Sequence, residues 1–465
     1  MKKLELYNQK RDFSKTKEPI GKKMPSSGKR RFCIQHHRAR KDHFDFRLEV
    51  DGVLKSWAIP KGPSYDAHDK RLAVMVEDHP LSYRLFEGVI PKGAYGGGEV
   101  MLWDQGYWFP ITDVTKGLKD GSLKFILFGK RLFGKWALFR IKEEQWILIK
   151  EKDEIIGFNN IDEYNLSIKT GRTMEEIKEE KNIVYKNVVE SIRITHPDKL
   201  VFPKYKITKM DIVNYYERVA SFMLPFLEKR IVSVKRCPKD FKDAFFMKHL
   251  ESNHLGIGKV NVSNDKHKNQ DYYYILDKAG LISEVQMNSY EFHIWGSNIV
   301  KKNHPDMMVF DLDPDEKMSI KKVREGVKDL KQVLDELGLI SFLKTSGGKG
   351  YHVVVPFRSI KSWKVFTKIA KDIAKVLETK FPDKYVSNMR IKARKGKIFI
   401  DWMRNTKGAT SVAPYSLRLK NKPRISMPIS WDELDKIKPD EITIEEALKR
   451  IKKRNPWENF FSIFQ

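Results

Sequence analysis

Short segments in which apolar and polar residues alternate recur through the first third of the chain: HFDFRLEV, VLKSWAIP, RLAVMVED, GGEVMLWDQGYW, LKFILFG, KWALFRI and QWILIK. A period of two sends neighbouring side chains to opposite faces, so each segment predicts a β-strand. Asp51-Gly52 falls between the first two and predicts a tight hairpin. Strands this short and evenly spaced suit a barrel or a curled sheet. After residue 150 the chain becomes charged. TMEEIKEE predicts a helix, with Thr173 as its cap and Glu176 closing a capping box. From Ile194 the period alternates between helical and extended. MDIVNYYERVASFMLPFL, IKKVREGVKDLKQVLDEL and WKVFTKIAKDIAKVLETK have apolar residues at helical spacing, with Thr208 placed to cap the first. MMVFDLDP, ISFLKT, YHVVVP and GKIFIDWM read as strands between them. The expected architecture is multidomain: a β-rich, barrel-like domain over 1–185 and an α/β domain over 186–465.

Composition supports two ordinary globular cores. The chain has 465 residues, 41% hydrophobic and 12% aromatic. No apolar run approaches the ~18 residues that a membrane span needs, and the charged start lacks the apolar core of a signal peptide. Cys33 and Cys237 lie far apart without CxxC spacing, so no disulfide framework or zinc ribbon is expected. Such a pattern suits a reducing, cytoplasmic location. Charge changes the picture most. Lys and Arg number 89 against 61 Asp and Glu, a net +28. That surplus predicts a polyanionic partner, because neutralising phosphates releases condensed counterions. It is spread along the chain rather than gathered on one amphipathic helix, which argues against a membrane surface.

In HFDFRLEV, His43, Asp45, Arg47 and Glu49 share one face, while Phe44, Phe46, Leu48 and Val50 share the other. The apolar face is expected to pack inward. The polar face holds imidazole, carboxylate and guanidinium together, and His37 just upstream adds a second imidazole. Two imidazoles and a carboxylate suit an open first-row metal site for Mn²⁺ or Zn²⁺. Arg47 suits a phosphate oxygen. His79 and Tyr83 offer an acid and a hydroxyl donor. The alternative from alternation alone is a half-exposed strand with a charged outer face.

These residues carry a resemblance. QHHRARKDHFDFRLEVDGVLKSWAIPKGPS, KRLAVMVEDHPLSY and FEGVIPKGAYGGGEVMLWDQG resemble the phosphoesterase domain of bacterial DNA ligase D, over about residues 7–180. The resemblance implies a Mn²⁺-dependent enzyme that trims 3′-terminal ribonucleosides and removes 3′-phosphates. It assigns His37, His43 and Asp45 to the metal and Arg47, His79 and Tyr83 to the phosphate. Lys61 and Arg71 match supporting basic positions. Asp12 and Glu18 match acidic positions of an N-terminal arm tied to the ribonucleoside-removing step.

A second constellation lies downstream. Asp311 and Asp313, two apart on a predicted strand, share a face and repel unless divalent cations neutralise them. That is the logic of a two-metal phosphoryl-transfer site. Asp401 ends the apolar run IFI of another strand. Between them lies KTSGGKGYHVVVP, whose Gly-rich turn lets backbone N–H groups approach phosphates. It lacks the spacing of a P-loop, and no helix follows.

FDLDP, TSGGKGYHVVVP and FIDWMRN, in this order, resemble the archaeo-eukaryotic primase superfamily, specifically the polymerase domain of DNA ligase D. ITHPDKLVFP, ITKMDIVNYY, RCPKD, FFMKH, VQMNSYEFHIWGS and GATSVAPYSLR extend the resemblance from about residue 192 to the C-terminus. It implies an RRM-like palm in which Asp311, Asp313 and Asp401 hold two Mn²⁺ or Mg²⁺ ions. Ser346, Lys349 and His352 are implied to contact a nucleoside triphosphate, with Arg404 and Arg418 as further phosphate partners and His293 near the nucleotide. Lys199 and Lys209 match a basic pair that holds a downstream 5′-phosphate, and Phe245 and Phe246 match aromatics that stack on the template. The implied role is end processing in non-homologous end joining: 3′ trimming together with ribonucleotide-preferring gap filling or end extension at the nucleoid. The implied partners are DNA ends, the end-binding protein Ku and a separate ATP-dependent ligase, since no KxDG nucleophile motif is found. Two alternatives are a non-catalytic DNA-bridging module and a de novo primase. Unneutralised carboxylates argue against the first, and the lack of a cysteine-rich zinc element argues against the second.

Overall fold

The computed structural model describes residues 4–22, 30–153, 161–249, 254–262, 270–315, 318–388 and 390–463. They divide into two compact units, Met1–Arg193 and Ile194–Gln465. The division falls a few residues beyond the expected 185/186 boundary. The reason is local: Arg193 is held back to the first unit by Glu176, at 2.7 Å, and by the carbonyl of Gly171.

The first unit contains strands β1 (Arg31–Arg38), β2 (Asp42–Val50), β3 (Val53–Ile59), β4 (Arg71–Pro80), β5 (Gly88–Ile90), β6 (Gly98–Pro110), β7 (Ser122–Gly129), β8 (Phe133–Lys142) and β9 (Gln145–Lys150). Their order is β1-β2-β3-β4-β9-β8-β7-β6-β5, and β1 also pairs with β6. The sheet is thus closed as an eight-stranded antiparallel barrel, with β5 added on the outside of β6. Phe32, Ile34, Phe46, Leu48, Trp57, Trp103, Trp108, Phe125, Trp136 and Trp146 fill the interior. Large indole rings supply much of the buried apolar volume. Asp51 and Gly52, at φ 48° and 81°, make the tight turn that sets Val50 opposite Val53. Thr173 and Glu176 form the expected capping box on Met174–Lys178.

One expectation is corrected here. The polar face of β2 is not a solvated outer face: Asp45, Arg47 and Glu49 are all buried. A second, smaller core lies against the outside of the barrel, built from Leu4, Tyr7, Val53, Leu54, Tyr83, Phe86, Ile90 and Val100. The N-terminal arm and the short turn Leu81–Leu85 supply much of this cover.

In the second unit, a six-stranded sheet runs in the order Tyr385–Val386, Ile398–Asp401, Met307–Pro314, Tyr351–Pro356, Phe342–Thr345, Pro428–Ile429. Met307–Pro314 is followed by helix Ile320–Glu336, then by Phe342–Thr345, Tyr351–Pro356, helix Trp363–Lys380 and Ile398–Asp401. This βαββαβ order, with the first and third strands central, is the RRM-like palm that was expected. Helix Lys209–Leu227 is capped by Thr208, with Asp211 closing the box. A second sheet contains Arg230–Arg236 and Ser289–Asn298, and helix Lys278–Gln286 leads into the latter strand. Cys33 and Cys237 are free and buried. Among the described residues, no helix is long and apolar enough to cross a membrane.

Candidate active sites

In the barrel, β1 and β2 pair so that His37 faces His43 and Gln35 faces Asp45. Directly opposed residues on antiparallel strands share a face, which brings both imidazoles to one carboxylate. Ligand atoms of His37, His43 and Asp45 all lie within 4.8 Å of one another. His37 Nδ1 is 3.6 Å and His43 Nε2 3.7 Å from Asp45. The other ring nitrogens are engaged: His37 Nε2 donates to the Gly96 carbonyl at 2.8 Å, and His43 Nδ1 to the Lys41 carbonyl at 2.9 Å. Each tautomer is therefore fixed with its lone pair turned inward, the arrangement that supports a metal ligand. Burial raises the pKa of Asp45, but Arg47, then His37 and His43, outweigh it and hold the carboxyl well below its usual range. A carboxylate and two imidazoles fit a first-row divalent cation.

Arg47 is almost completely buried. Its Nη2 donates to Asp45 and its Nε to Gln35, each at 2.8 Å, whereas Nη1 has no hydrogen-bond partner among the described residues. A buried guanidinium N–H without an acceptor is costly and suits a phosphate oxygen at this point. His79 donates from Nδ1 to the Glu77 carbonyl at 2.8 Å, and its Nε2 lies 3.3 Å from Arg11 Nη2. Burial, then Arg47 and Arg11, push its pKa well down. Burial raises Tyr83, whose ring lies under Arg47 at 4.9 Å.

Arg11 is the residue the sequence reading missed. It binds Glu18 at 2.9 Å and Glu77 at 3.2 Å, stacks on Tyr7 and reaches His79, so it locks the N-terminal arm to the site. Glu18 acts through it. Asp12 is exposed and accepts from Ser14 and Lys15. Lys61 is exposed in the turn after β3, and Arg71, at the start of β4, pairs with Asp69 at 2.7 Å. Neither of these two basic residues is drawn into the metal cluster's contacts.

In the palm, Asp311 stands directly opposite Asp401 on one neighbouring strand and His352 on the other, and His352 stands opposite Lys344. The four form a row across four strands, with Asp313 farther along the same face as Asp311. Arg404 lies 3.1 Å from Asp401 and 3.7 Å from Asp311, so it bridges the carboxylates. Burial, then Asp313, raises Asp311 to about 6, and burial also raises Asp401. Crowded acids of this kind fit divalent cations, which would relieve the repulsion. His352, 3.5 Å from Asp311, is driven well below its usual pKa by burial and then Lys344.

The Gly-rich turn folds on Ser346, whose hydroxyl accepts from Gly348 and Gly350. Lys349 is exposed at its tip. Arg418 donates to the Ser346 carbonyl at 2.7 Å and pairs with Glu291 at 3.0 Å. Glu291, also missed in the sequence, is a fully buried hub. It accepts from His293 at 2.8 Å and from the Leu419 amide at 2.6 Å. Burial opposes its charge, yet His293 and Arg418 hold its pKa at about 2. His293 and Arg418 are thereby fixed in orientation. The signal available was a carboxylate two residues before His293 on an alternating strand.

Lys199 and Lys209 lie close enough for their charges to act on each other. Lys209 Nζ donates to the Gln286 carbonyl at 2.7 Å; Lys199 donates to the Cys237 and Pro238 carbonyls and to Asn288. Burial and then Lys199 lower Lys209 to about 8. The contacts recorded for this pair are to carbonyl oxygens, leaving its charge for an anion. Phe245 and Phe246 are exposed on Phe245–Met247, and Phe246 packs edge-on to His293 at 4.9 Å.

An open metal cluster on a barrel, and an acidic row beside a Gly-rich turn on an RRM-like palm, define a class: a phosphoesterase joined to a primase-like nucleotidyltransferase. Residues 208–457 match the family described as "LigD, primase-polymerase domain", and residues 35–140 match "DNA Ligase D 3'-phosphoesterase domain". The first match takes in more than half of the chain, and the chain belongs to the LigD primase-polymerase family.

The "Multifunctional non-homologous end joining protein LigD" of Pseudomonas aeruginosa is 23% identical over an alignment 792 positions long, gaps included, that spans 94% of each chain. The LigD protein of Mycobacterium tuberculosis is 33% identical over 273 residues, 56% of this chain and 36% of that one. The "Bifunctional non-homologous end joining protein LigD" of Bacillus subtilis is 28% identical over 59% of this chain and 45% of its own length. The present chain thus spans less than half of the last two relatives. A solved structure, "Polymerase Domain from Mycobacterium tuberculosis Ligase D in complex with DNA", is 30% identical. It covers 58% of this chain and 98% of its own, with a TM-score of 0.55.

Proposed function

We propose that this chain processes broken DNA ends in non-homologous end joining, trimming 3′ ends with the barrel and adding nucleotides with the palm. The observation that carries the reading is that strand register gathers His37, His43 and Asp45 in the barrel and sets Asp311 opposite Asp401 in the palm, with Asp313 farther along the same face. In the barrel, His37, His43 and Asp45 would hold Mn²⁺, and Arg47 Nη1 would take a phosphate oxygen of a 3′-phosphate or a terminal ribonucleotide. A divalent cation there supplies a Lewis acid for the phosphoryl group. In the palm, Asp311, Asp313 and Asp401 would hold the ions that align a primer 3′-hydroxyl with the α-phosphate. Ser346, Lys349, His352, Arg404 and Arg418 would grip a ribonucleoside triphosphate.

DNA binding follows the net +28 and the DNA-bound relative. Lys199 and Lys209 would take a downstream 5′-phosphate, and Phe245 and Phe246 an unstacked template base. Ku and a separate ligase are proposed as partners because the relatives are non-homologous end joining proteins. The reading is tested by incubating the chain with a 5′-labelled primer-template, Mn²⁺ and ribonucleotides. Both longer and shorter products are expected on one gel, and both should vanish with EDTA.

A further inference from the structure

Beyond the two sites, the outer surface of the barrel carries an aromatic face. Tyr107 on β6 stands directly opposite Phe128 on β7, and Phe128 opposite Phe133 on β8. Their rings are 45%, 52% and 39% exposed, and Phe109, 56% exposed, meets Phe128 edge-on at 5.6 Å. The alternate residues Trp108, Phe125, Leu127 and Trp136 already fill the barrel interior, so these four are surplus to it. Single exposed apolar residues are ordinary. Four aromatic rings in register on one face are a contact surface.

The neighbourhood indicates its occupant. Arg31 on β1 stands opposite Tyr107. Lys130 is in the β7–β8 turn and Lys135 is exposed on β8. Arg84, held by Gln105 at 3.3 Å, has its pKa lowered by burial and by Arg31, two guanidiniums crowding each other. The nearby carboxylate Glu49 is buried. Aromatic rings interleaved with cations suit the bases and phosphates of a single strand.

Strand register links this face to the metal cluster. Arg31, Cys33, Gln35 and His37 alternate on one side of β1; the last three stand opposite Arg47, Asp45 and His43, and the Arg31 amide donates to the Glu49 carboxylate at 3.3 Å. Between His37 and Arg31 this side of β1 lies under Leu81–Phe86, where Gln35 donates to the carbonyls of Tyr83 and Phe86, so a strand joining the metal cluster to Tyr107 would pass over that cover. The distance along the strand is roughly 20 Å at about 3.4 Å per residue. That is about six nucleotides of stacked strand at about 3.4 Å each, and fewer if the strand is stretched.

We propose that the outer face of β6–β8 is a stacking platform for single-stranded DNA, holding unpaired bases a few nucleotides upstream of a 3′ end presented to His37, His43 and Asp45. The position of that end rests on the phosphoesterase reading; the platform itself is tested separately. Prepare 3′-overhang duplexes with one 5-iodouracil at successive positions from the 3′ end, irradiate them with the full chain, and locate the adducts by mass spectrometry. Adducts on Tyr107, Phe109 or Phe128 should peak near the sixth unpaired nucleotide or slightly closer to the end, and disappear when that position is paired. Adducts that form only on the polymerase unit, or equally with blunt duplex, overturn the proposal and leave this face to a protein partner.

The double variant Tyr107→Ser/Phe128→Ser should weaken overhang binding by about tenfold and leave blunt-duplex binding unchanged. Tyr107→Phe/Phe128→Trp should retain wild-type affinity. Equal losses on both DNAs would make the face structural and overturn the platform. Trimming is scored in parallel with these measurements. Crosslinking without trimming keeps the platform and defeats the phosphoesterase reading, whereas trimming without crosslinking does the reverse.

Discussion

Asp401 and His37 sit in different units, each at a position that register makes irreplaceable. Asp401→Ala should reduce primer extension to background and leave 3′ trimming at its normal rate. His37→Ala should do the opposite. Both are read from one labelled-primer gel, and joint loss in a folded variant would sink the two-site reading. Lys209 makes a pH-dependent prediction. Its pKa of about 8 means that it loses its proton as pH rises through that value. A terminal phosphate is near its dianionic form there. The preference for a 5′-phosphorylated gap should therefore be greatest below pH 8 and fall above it. Lys209→Arg, charged throughout, should flatten the profile. Fluorescence anisotropy on gapped duplexes with and without the phosphate, at fixed ionic strength, checks the sign.

At the scale of elements, the N-terminal arm is the most consequential piece. Glu18 and Arg11 form a buried pair, with side chains 1% and 5% exposed. Glu18→Ala leaves the buried Arg11 guanidinium with Glu77 as its remaining carboxylate partner and its Nε unpaired, at a cost of about 3 kcal/mol. The barrel unit should melt roughly 10 °C lower by calorimetry, trimming should fail, and extension should persist. The sequence makes much of the rest legible. Alternation located seven barrel strands and all four core strands of the palm, and helical spacing located the three long helices. The strand Arg31–Arg38 escaped because Phe32 and Ile34 are the large apolar residues of its inner face, while its outer face carries Arg31, Gln35 and His37. Its burial depends on the arm and on Leu81–Leu85, remote segments that a local pattern cannot see. The same cover explains why the polar face of β2 reads as solvated and is not. Glu291 was hidden for a related reason: its partners Arg418 and Leu419 lie far along the chain.

At the scale of the whole molecule, charge and shape divide the work of holding DNA. The net +28 supplies a background that acts on any phosphate and weakens with salt. The Lys199 and Lys209 pair, held by carbonyl oxygens, should distinguish a terminal phosphate from an internal one. Lys199→Ala/Lys209→Ala should erase the preference for a phosphorylated gap, a loss of about tenfold or more if each charge-assisted contact is worth roughly 1.5–3 kcal/mol. General affinity for duplex should drop only slightly, and its dependence on salt should remain steep. If the double variant keeps the full preference, the 5′-phosphate pocket lies elsewhere.

The row of Asp401, Asp311, His352 and Lys344 constrains how this protein can change over time. Each member is set opposite the next by strand pairing. Exchanging one side chain alters one rung. Inserting or deleting a single residue within any of these strands turns every later side chain to the other face, so the acids would enter the apolar layer and the valines would meet the substrate. Reading-frame-preserving insertions and deletions should therefore be tolerated far less here than substitutions. A scan of single-codon insertions should show a sharply bounded intolerant block over Met307–Asp313, Phe342–Thr345, Tyr351–Pro356 and Ile398–Asp401, with tolerance returning in the 357–362 loop. Lineages of this palm should differ in the length of their loops and agree in the length of their strands.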